Sequence, residues 1–314
     1  MKIERNLSMP PDQNTVVTIG TFDGVHKGHQ KIIDRVIESS KSERLKSVVL
    51  TFFPHPRMVL QKDSNIKLIN TIDERYTILD NLGIDYLFVK TFTKAFSQLD
   101  AKSFVEDILV KTLNAKKVII GYDHRFGKNR TAGIEDLKRF SKIFNFEIEE
   151  IPAKDIDRIA ISSTKIRHAL KAGDINTVNS YLGYHFTLTG KIVKGKGLGK
   201  TWGFPTANIH IEEDYKIIPK QGAYIVKTKI NNKTVYGMMN IGKNPTVLGN
   251  KQTIEAHFLD FNGDIYDDIL SVELLEYIRD EKKFENIEAL KEQLRRDKQQ
   301  VLHYIQSYAK QHII

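Results

Sequence analysis

The sequence predicts two domains of different class: an N-terminal doubly wound α/β domain on a parallel sheet, and a C-terminal small antiparallel β-barrel with a terminal α-helix. Up to about residue 150, apolar strand-like runs alternate with amphipathic helical patterns. This alternation is typical of a parallel sheet with helices on both faces. From residue 186 onward the strand-like runs are short and turns are frequent, as in an antiparallel sheet or barrel. We place the boundary near residues 183–185, which gives domains 1–183 and 184–314.

Apolar runs in the N-terminal half predict strands at residues 16–20, 47–53, 86–89, 117–121 and 146–151. Helical patterns lie between them: Thr71 and Glu74 have capping-box spacing, and Asp100 precedes a second apolar stripe. Two short helices are predicted at residues 163–172 and 174–182, before Gly183. Ligands of such sheets bind at the carboxyl ends of the strands. A site is therefore expected in the loops that follow the strands.

The C-terminal half predicts strands at residues 187–194, 224–230, 234–241, 253–261 and 271–277. Asn231-Asn232 and Asn262-Gly263 have the composition of hairpin turns. A closing helix is predicted over residues 286–308, with Leu290, Leu294 and Val301 on its apolar side. These patterns together predict a barrel followed by one long helix.

Composition restricts the class of protein. The chain has 314 residues and no cysteine, which excludes thiol nucleophiles, disulfides and Cys-type metal sites. No apolar run approaches the roughly 18 residues that span a bilayer, and the N-terminus lacks a signal-peptide core, so we expect a cytoplasmic protein without a membrane partner. The net charge of +9 fits a nucleic-acid surface, small phosphorylated ligands or scattered surface lysines. Because the basic residues form no long run, no nucleic acid is expected as a partner.

The most informative segment is Gly20-Thr21-Phe22-Asp23-Gly24-Val25-His26-Lys27-Gly28-His29, between the first strand and a helical pattern. A glycine-rich turn at a helix N-terminus brings backbone N–H groups against a phosphate. His26 and His29 fall on one side of the first helical turn. The spacing differs from the P-loop and from the dinucleotide-binding fingerprint. The alternative is an ordinary glycine turn that carries two surface histidines.

Three more polar segments follow predicted strands or open a helix. They contain His55 between two prolines; Asp123 and Arg125; and Ser163, Thr164 and Arg167. Together they predict a triphosphate site with donors and cations, which suits direct in-line attack without a protein nucleophile. Ordinary helix capping is the alternative for the hydroxyls. Zinc binding is the alternative for the histidines, although no carboxylate has the H-E-x-x-H spacing.

The C-terminal half carries a second polar segment. Gly195-Lys196-Gly197-Leu198-Gly199-Lys200 precedes Pro205-Thr206-Ala207-Asn208. A glycine-rich cationic loop can wrap nucleotide phosphates, and Thr206 and Asn208 offer hard oxygen ligands suited to Mg²⁺. Farther on, Glu255 and His257 share one face of a strand, where a carboxylate can take a proton from an alcohol that attacks ATP. The alternatives are a common glycine-rich hairpin and an outward-facing glutamate.

These segments resemble, in order and over essentially the whole chain, the bifunctional bacterial riboflavin kinase/FAD synthetase family. The loop with His26 and His29 resembles the (H/T)xGH loop of the nucleotidylyltransferase superfamily. The resemblance implies an N-terminal FMN adenylyltransferase and a C-terminal riboflavin kinase. Riboflavin and ATP would give FMN and ADP; FMN and a second ATP would give FAD and pyrophosphate, with Mg²⁺ at both steps. These six molecules are the expected partners, and a homo-oligomer is left open.

The resemblance also implies site residues, carried over motif by motif. The catalytic residues are Glu255, His26 and His29. The adenylyltransferase ATP site is Gly20, Phe22, Asp23, Gly24, His26, Gly28, His29, Ser163, Thr164 and Arg167, and its flavin site is His55, Asp123 and Arg125. The kinase ATP site is Gly195, Lys196, Gly197, Gly199, Lys200, Thr206 and Asn208, the last two binding Mg²⁺. The kinase flavin site is Glu255, Arg279 and Phe284.

Two segments depart from the family pattern. His124 stands where an aromatic residue is expected, and residues 128–131 are less glycine-rich than expected. Both bear on the efficiency or ligand preference of adenylylation, and neither touches the kinase prediction. The competing hypotheses are a protein in which one domain only binds flavin, and a flavin-dependent regulator that binds RNA. Product analysis with riboflavin, ATP and Mg²⁺ distinguishes them.

Overall fold

The computed structural model describes residues 1–4, 9–10, 12–61, 65–152, 161–195, 197–246 and 249–311. The chain forms two compact units, Met1–Ser163 and Thr164–Ile314. The two short helices before residue 183, which the sequence analysis grouped with the first domain, thus fall almost entirely in the second unit. Where the two functional domains divide stays a prediction.

The first unit contains a six-stranded parallel sheet. Its strands are β1 (Lys2–Glu4), β2 (Thr15–Ile19), β3 (Lys46–Phe53), β4 (Tyr86–Thr91), β5 (Ala115–Gly121) and β6 (Glu147–Ile151). Their order is β1-β4-β3-β2-β5-β6, and every neighbouring pair is parallel. The predicted parallel sheet is confirmed, and β1 is a short edge strand that the apolar pattern did not predict.

Helices surround this sheet. They are α1 (Lys27–Glu43), α2 (Pro56–Leu60), α3 (Ile72–Leu82), α4 (Lys94–Ser97), α5 (Ala101–Ser103) and α6 (Ile134–Phe144), with a π-helix at Phe104–Thr112 and a 3₁₀ turn at Lys128–Arg130. The predicted capping box is present: Thr71 accepts from the Glu74 amide, and Glu74 accepts from the Thr71 amide. Asp100 caps α5, as its position predicted. Local capping chemistry therefore sets where these helices begin.

The central strand β2 shows that both faces of the sheet are covered. All five of its residues are buried. Val17 packs in the core on one face, with Leu109 of the π-helix and Leu137 of α6. Val16 packs in the core on the other face, with residues of α1 and α3 such as Ile33. Because successive strand side chains point to opposite faces, this partition confirms the doubly wound architecture.

The second unit contains a closed antiparallel barrel. Its strands are β7 (Thr187–Val193), β8 (Ala207–His210), β9 (Gly222–Ile230), β10 (Lys233–Thr246), β11 (Gly249–Phe258) and β12 (Ile269–Arg279), in the closed order β10-β11-β8-β7-β12-β9. The unit's helices are α7 (Ser163–Ala172), α8 (Ile175–Leu182), α9 (Leu198–Thr201) and α10 (Ile287–Gln311). Val301 of α10 packs in one apolar core with Ile225 and Met238 of the barrel. The predicted barrel with a terminal helix is confirmed.

One predicted turn is confirmed and one is wrong. Asn231 and Asn232 have φ angles of 50° and 61° and join β9 to β10, where Ile230 pairs with Lys233. Asn262-Gly263 is not a hairpin turn, because β11 pairs with β10 and β8 whereas β12 pairs with β7 and β9. Barrel closure separates the two strands that a hairpin would join. The short strand β8 was not predicted, since its four residues are partly polar.

Among the described residues, no helix combines the length and the apolar character needed to cross a membrane.

Two candidate active sites

The two histidines of the first site lie at the start of α1, directly after β2. His26 is the N-cap, and its Nδ1 accepts from the His29 amide at 3.4 Å. The two imidazoles stack with their centroids 3.7 Å apart and their planes 15° apart. His26 is only 6 % exposed, and Nδ1 of His29 is buried without a hydrogen-bond partner. The alternative of two surface histidines is therefore wrong.

The loop reaches the histidines through left-handed backbone. Phe22, Gly24 and Val25 have φ angles of 45°, 87° and 34°. A Cβ on Gly24 would lie 2.9 Å from Cδ1 of Ile69, so both the φ angle and the space require glycine. The Phe22 ring lies edge-on to His29, with centroids 5.1 Å apart, and it also covers Gly20. The glycines and Phe22 of the predicted site thus shape the loop around the imidazoles.

Both imidazoles are held in the neutral form. Burial lowers the pKa of His26 to about 4, and the nearby Asp23 carboxylate opposes this shift only in part. Burial also lowers the pKa of His29, and a second proton beside the His26 ring and the Arg75 cation is further disfavoured. Near neutral pH the pair therefore presents ring N–H groups without carrying positive charge.

Asp23 is used inside the loop. Its carboxylate is 1 % exposed and accepts from the amides of Ile69 and Asn70 at 2.9 and 3.3 Å. Nη2 of Arg75 lies 3.7 Å from the same oxygen. The sequence grouped Asp23 with the ATP-binding residues; these contacts show its carboxylate fastening the loop to the segment before α3.

Arg75 is a residue that sequence reasoning missed. It is 1 % exposed and donates from Nη1 to Thr51 Oγ1 at 3.2 Å, and Thr51 donates in turn to the carbonyl of Thr21 at 3.1 Å. A buried charge destabilises the fold unless it is paired. Arg75 meets this requirement through its contacts with Thr51 and Asp23. The available signal was a cation inside an apolar stripe, three residues after Ile72 and four before Leu79.

The other predicted residues of the first site follow β3 and β5, the two neighbours of β2 in the sheet. His55 is 9 % exposed and caps α2, with its Nδ1 accepting from the Arg57 amide at 3.1 Å. Asp123 and Arg125 are exposed. Because carboxyl ends of adjacent parallel strands share one edge, these loops and the histidine loop lie at the same edge of the sheet.

The departure at His124 lies in this loop. Its ring stacks on Phe126 with centroids 6.1 Å apart, and its Nε2 is buried without a hydrogen-bond partner. Burial lowers its pKa to about 4. The imidazole therefore fills an aromatic position as a neutral ring.

The predicted helix start is divided between the units. Ser163, the last residue of the first unit, donates from Oγ to the carbonyl of Asp23 at 2.9 Å. Thr164 is exposed and Arg167 half-buried, and both belong to the second compact unit. Their place in a nucleotide site stays a prediction.

The second site is a cavity of about 520 Å³ in the second unit. The predicted kinase residues that line it are Gly195, Gly197, Gly199, Thr206, Asn208, Glu255, Arg279 and Phe284. Lys200 is exposed and is absent from this lining, and Lys196 lies outside the described residues. Predicted kinase residues from four separate segments of the chain thus line one cavity.

Strand register places three polar residues of the cavity lining side by side. Glu255 of β11 pairs with Asn208 of β8 on one side and with Asn240 of β10 on the other. Glu255 and His257 both line the cavity, as their shared strand face predicted. Nδ1 of His257 lies 2.8 Å from the carbonyl of Pro205, and burial lowers the pKa of this imidazole. Glu255 is half-buried in the lining of the cavity, and its role as the base stays a prediction.

The glycine loop lies directly on the Thr-Ala-Asn segment. A Cβ on Gly195 would lie 2.2 Å from Nδ2 of Asn208, and one on Gly199 would lie 2.4 Å from the carbonyl of Phe204. Real Cβ atoms do not approach this closely, so glycine permits the contact. Within the described residues, no group of three or more His, Asp or Glu side chains is placed to hold a metal ion. Thr206 and Asn208 therefore stand as oxygen donors without a carboxylate cage.

Much of the remaining cavity lining is apolar. It includes Trp202, Phe204, Met238, Met239, Leu290 and Leu294, together with Phe284 and the Arg279–Asp297 pair. Sequence reasoning missed Asp297 and the role of α10 as a wall. The signal was again a charge inside an apolar stripe, since Asp297 lies between Leu294 and Val301.

Two protein families each match a different part of the chain. Residues 8–165 match the FAD synthetase family and residues 182–305 match the riboflavin kinase family. A bifunctional riboflavin kinase/FMN adenylyltransferase of Listeria monocytogenes is 37% identical over 290 residues, covering 92% of this chain and 91% of the relative. Proteins of the same name from Escherichia coli and Bacillus subtilis are each 34% identical, covering 93% and 94% of this chain and the same shares of those relatives.

A solved structure has the same fold. A crystal structure titled as a macrolide-efflux protein from Streptococcus pneumoniae is 31% identical and superposes with a TM-score of 0.85, covering 95% of this chain and 97% of that one. This match supports the fold, whereas the sequence relatives and the two family matches identify the family. The chain belongs to the family of bifunctional riboflavin kinase/FMN adenylyltransferases.

Proposed function

We propose that the second unit phosphorylates riboflavin with ATP to give FMN and ADP, and that the first unit joins FMN to the AMP moiety of a second ATP to give FAD and pyrophosphate. The observation that carries the proposal is that Glu255, Thr206 and Asn208 line one cavity together with aromatic and aliphatic side chains. That arrangement suits a flat ring system with a polar tail directed at a phosphate donor.

For the kinase step we assign Glu255 as the general base. The ribityl 5′-hydroxyl attacks the γ-phosphorus of ATP, its proton passes to the Glu255 carboxylate, and the β,γ-bridging oxygen leaves with ADP. Pairing with Asn208 and Asn240 on either side fixes the strand position of Glu255. Gly195 lies directly against Asn208, and Gly199 lies beside Thr206, so we assign these glycines to the phosphates.

The oxygen donors fit Mg²⁺. This ion usually keeps several waters and binds one or two protein ligands together with substrate phosphates, so Thr206 Oγ1 and Asn208 Oδ1 suffice without an acidic cluster. When bound, Mg²⁺ would neutralise charge on the transferred phosphoryl group. We assign these two side chains to orienting the phosphates toward Glu255, because all three line the cavity and Asn208 pairs with Glu255 in the sheet.

For the adenylylation step we assign His26 and His29 to the triphosphate. A phosphate oxygen of FMN attacks the α-phosphorus of ATP, and the bond from that phosphorus to the leaving pyrophosphate breaks. The N-terminus of α1 and the ring N–H groups donate to the phosphate oxygens as charge moves onto pyrophosphate. His55, Asp123 and Arg125, at the same sheet edge, are assigned to FMN. Mg²⁺ at this step, cytoplasmic location and any homo-oligomer stay predictions from the sequence.

Product analysis tests the proposal. The protein is incubated with riboflavin, ATP and Mg²⁺, and FMN and FAD are separated by chromatography. Formation of both products is expected. FMN alone would overturn the adenylyltransferase assignment, FAD from supplied FMN alone would overturn the kinase assignment, and neither product would favour a flavin-binding regulator.

A further inference from the structure

The end of β12 is joined to the terminal helix by a buried ion pair. Nε of Arg279 lies 3.0 and 3.1 Å from the two carboxylate oxygens of Asp297, and Nη2 lies 2.6 Å from one of them. Asp297 is 1 % exposed and also accepts from Gln293 Nε2 at 2.9 Å. Charge-assisted, two-pronged contacts of this kind fix geometry as well as contribute energy. The pair therefore fixes Arg279 relative to α10.

The remaining contacts of Arg279 determine what it offers to a ligand. Its Nη1 donates to the carbonyl of Asp280 at 3.1 Å. Each of the three guanidinium nitrogens therefore already donates to a group within the protein. Cζ of Arg279 lies over the Phe284 ring, 5.9 Å from its centroid. Arg279 thus acts within the protein as a support for Phe284, and its edge is turned to Asp297.

Helix α10 forms part of the wall of the cavity. Leu290, Leu294 and Asp297 are spaced by four and three residues, so they share one helix face, and all three line the cavity with Arg279 and Phe284. The two leucines present an apolar surface. Asp297 is the charged member of this face and is neutralised by Arg279.

We propose that Asp297 is a positioning residue for riboflavin: by holding Arg279 against α10, it places Phe284 and the leucine face at the separation that the flavin ring requires. This inference rests on the proposed kinase function of the same cavity. It assigns Asp297 no part in the phosphoryl transfer, since the Asp297 carboxylate is engaged by Arg279 and Gln293.

The test is Asp297→Asn, which keeps the size of the side chain and removes its charge. Charged hydrogen bonds contribute enough that their loss weakens binding by about tenfold or more. The KM for riboflavin should rise by about tenfold, while kcat changes by less than about threefold and the KM for ATP is unchanged. Quenching of riboflavin fluorescence without ATP should show the same loss of affinity. FAD formation from supplied FMN should stay at the wild-type rate.

Glu292→Gln is the matched control, because it removes an exposed carboxylate from the same helix, and it should leave all constants unchanged. Asp297→Glu retains the charge and carries the test if the Asn variant does not fold; it should raise the riboflavin KM to a smaller extent. An unchanged riboflavin KM in folded variants would overturn the inference, and so would equal losses in kcat, ATP affinity and adenylylation. Absence of kinase activity in the wild-type protein would instead overturn the proposed function.

Discussion

Each unit contains a buried Arg–Asp pair, and the two pairs are built differently. In the first unit, Arg75 and Asp23 are both 1 % exposed and approach to only 3.7 Å, because Asp23 also accepts from two backbone amides. In the second unit, Arg279 donates to the carboxylate of Asp297 at 2.6–3.1 Å, and both residues line the cavity. The first pair fastens the histidine loop to the segment before α3, whereas the second pair lines the cavity that we assign to riboflavin. A change to the first pair should therefore alter folding, and a change to the second should alter affinity.

The largest expected effect is on riboflavin phosphorylation, the reaction that we assign to the second unit. Glu255→Gln keeps the size of the side chain and cannot accept the proton of the ribityl hydroxyl, so riboflavin phosphorylation should fall by about 10²–10⁴-fold. FAD formation from supplied FMN should persist, because we assign that reaction to the other unit. Initial rates of FMN and FAD formation measure both activities.

Glu276→Gln is the control for this change, since Glu276 is an exposed carboxylate on β12, and it should leave both rates unchanged. Retained phosphorylation in folded Glu255→Gln would remove Glu255 from the mechanism. A parallel loss of both activities would point to misfolding.

Breaking the first pair should destabilise the first unit. Arg75→Met leaves the buried Asp23 without its cation, and removal of one partner of a buried pair costs about 3–5 kcal/mol. Denaturant unfolding, followed by loss of adenylyltransferase activity, measures the change. Arg35→Met is the comparison, because Arg35 is 42% exposed beside Glu149 and such surface pairs contribute about 0–1 kcal/mol. Equal free energies of unfolding for the two variants would contradict the contrast between buried and exposed pairs.

The first site should also lose rate when its donors are removed. His29→Ala deletes a ring that we assign to the departing pyrophosphate, and loss of one such donor typically costs about 10²–10³-fold in rate. FMN should accumulate from riboflavin while FAD formation falls. His210→Ala, an exposed histidine of β8, serves as the control. Undiminished FAD synthesis by folded His29→Ala would exclude the histidine from the reaction.

Acid should weaken the first unit through its buried imidazoles. The pKa of His26 is about 4 in the folded chain against an ordinary value of 6.5, so the unfolded chain binds more protons between these values. Stability is therefore fully present above pH 6.5 and falls as the pH drops toward 4, by on the order of 3 kcal/mol. His26→Gln should flatten the pH dependence of the thermal midpoint in this range. An unchanged slope would show that His26 does not titrate as its burial requires.

Contiguous motifs and local caps could be predicted from the sequence, whereas long-range pairing could not. The histidine loop and the Thr71 capping box are short segments whose chemistry is complete within a few residues. The Asn262-Gly263 prediction failed because local turn chemistry says nothing about which strands a closed barrel places side by side. Arg75 and Asp297 were missed for a related reason: each looks like an interruption of an apolar stripe, and only the fold supplies the partner that makes its burial tolerable.

The capping role of the histidines also decides which ring nitrogen carries the proton. Nδ1 of His26 accepts from the His29 amide, and Nδ1 of His55 accepts from the Arg57 amide. A neutral imidazole whose Nδ1 accepts holds its hydrogen on Nε2. The starts of α1 and α2 therefore select one tautomer at each position, with the hydrogen on Nε2. Protonation of His26 at low pH would withdraw the acceptor from the His29 amide, so acid would fray the N-terminus of α1.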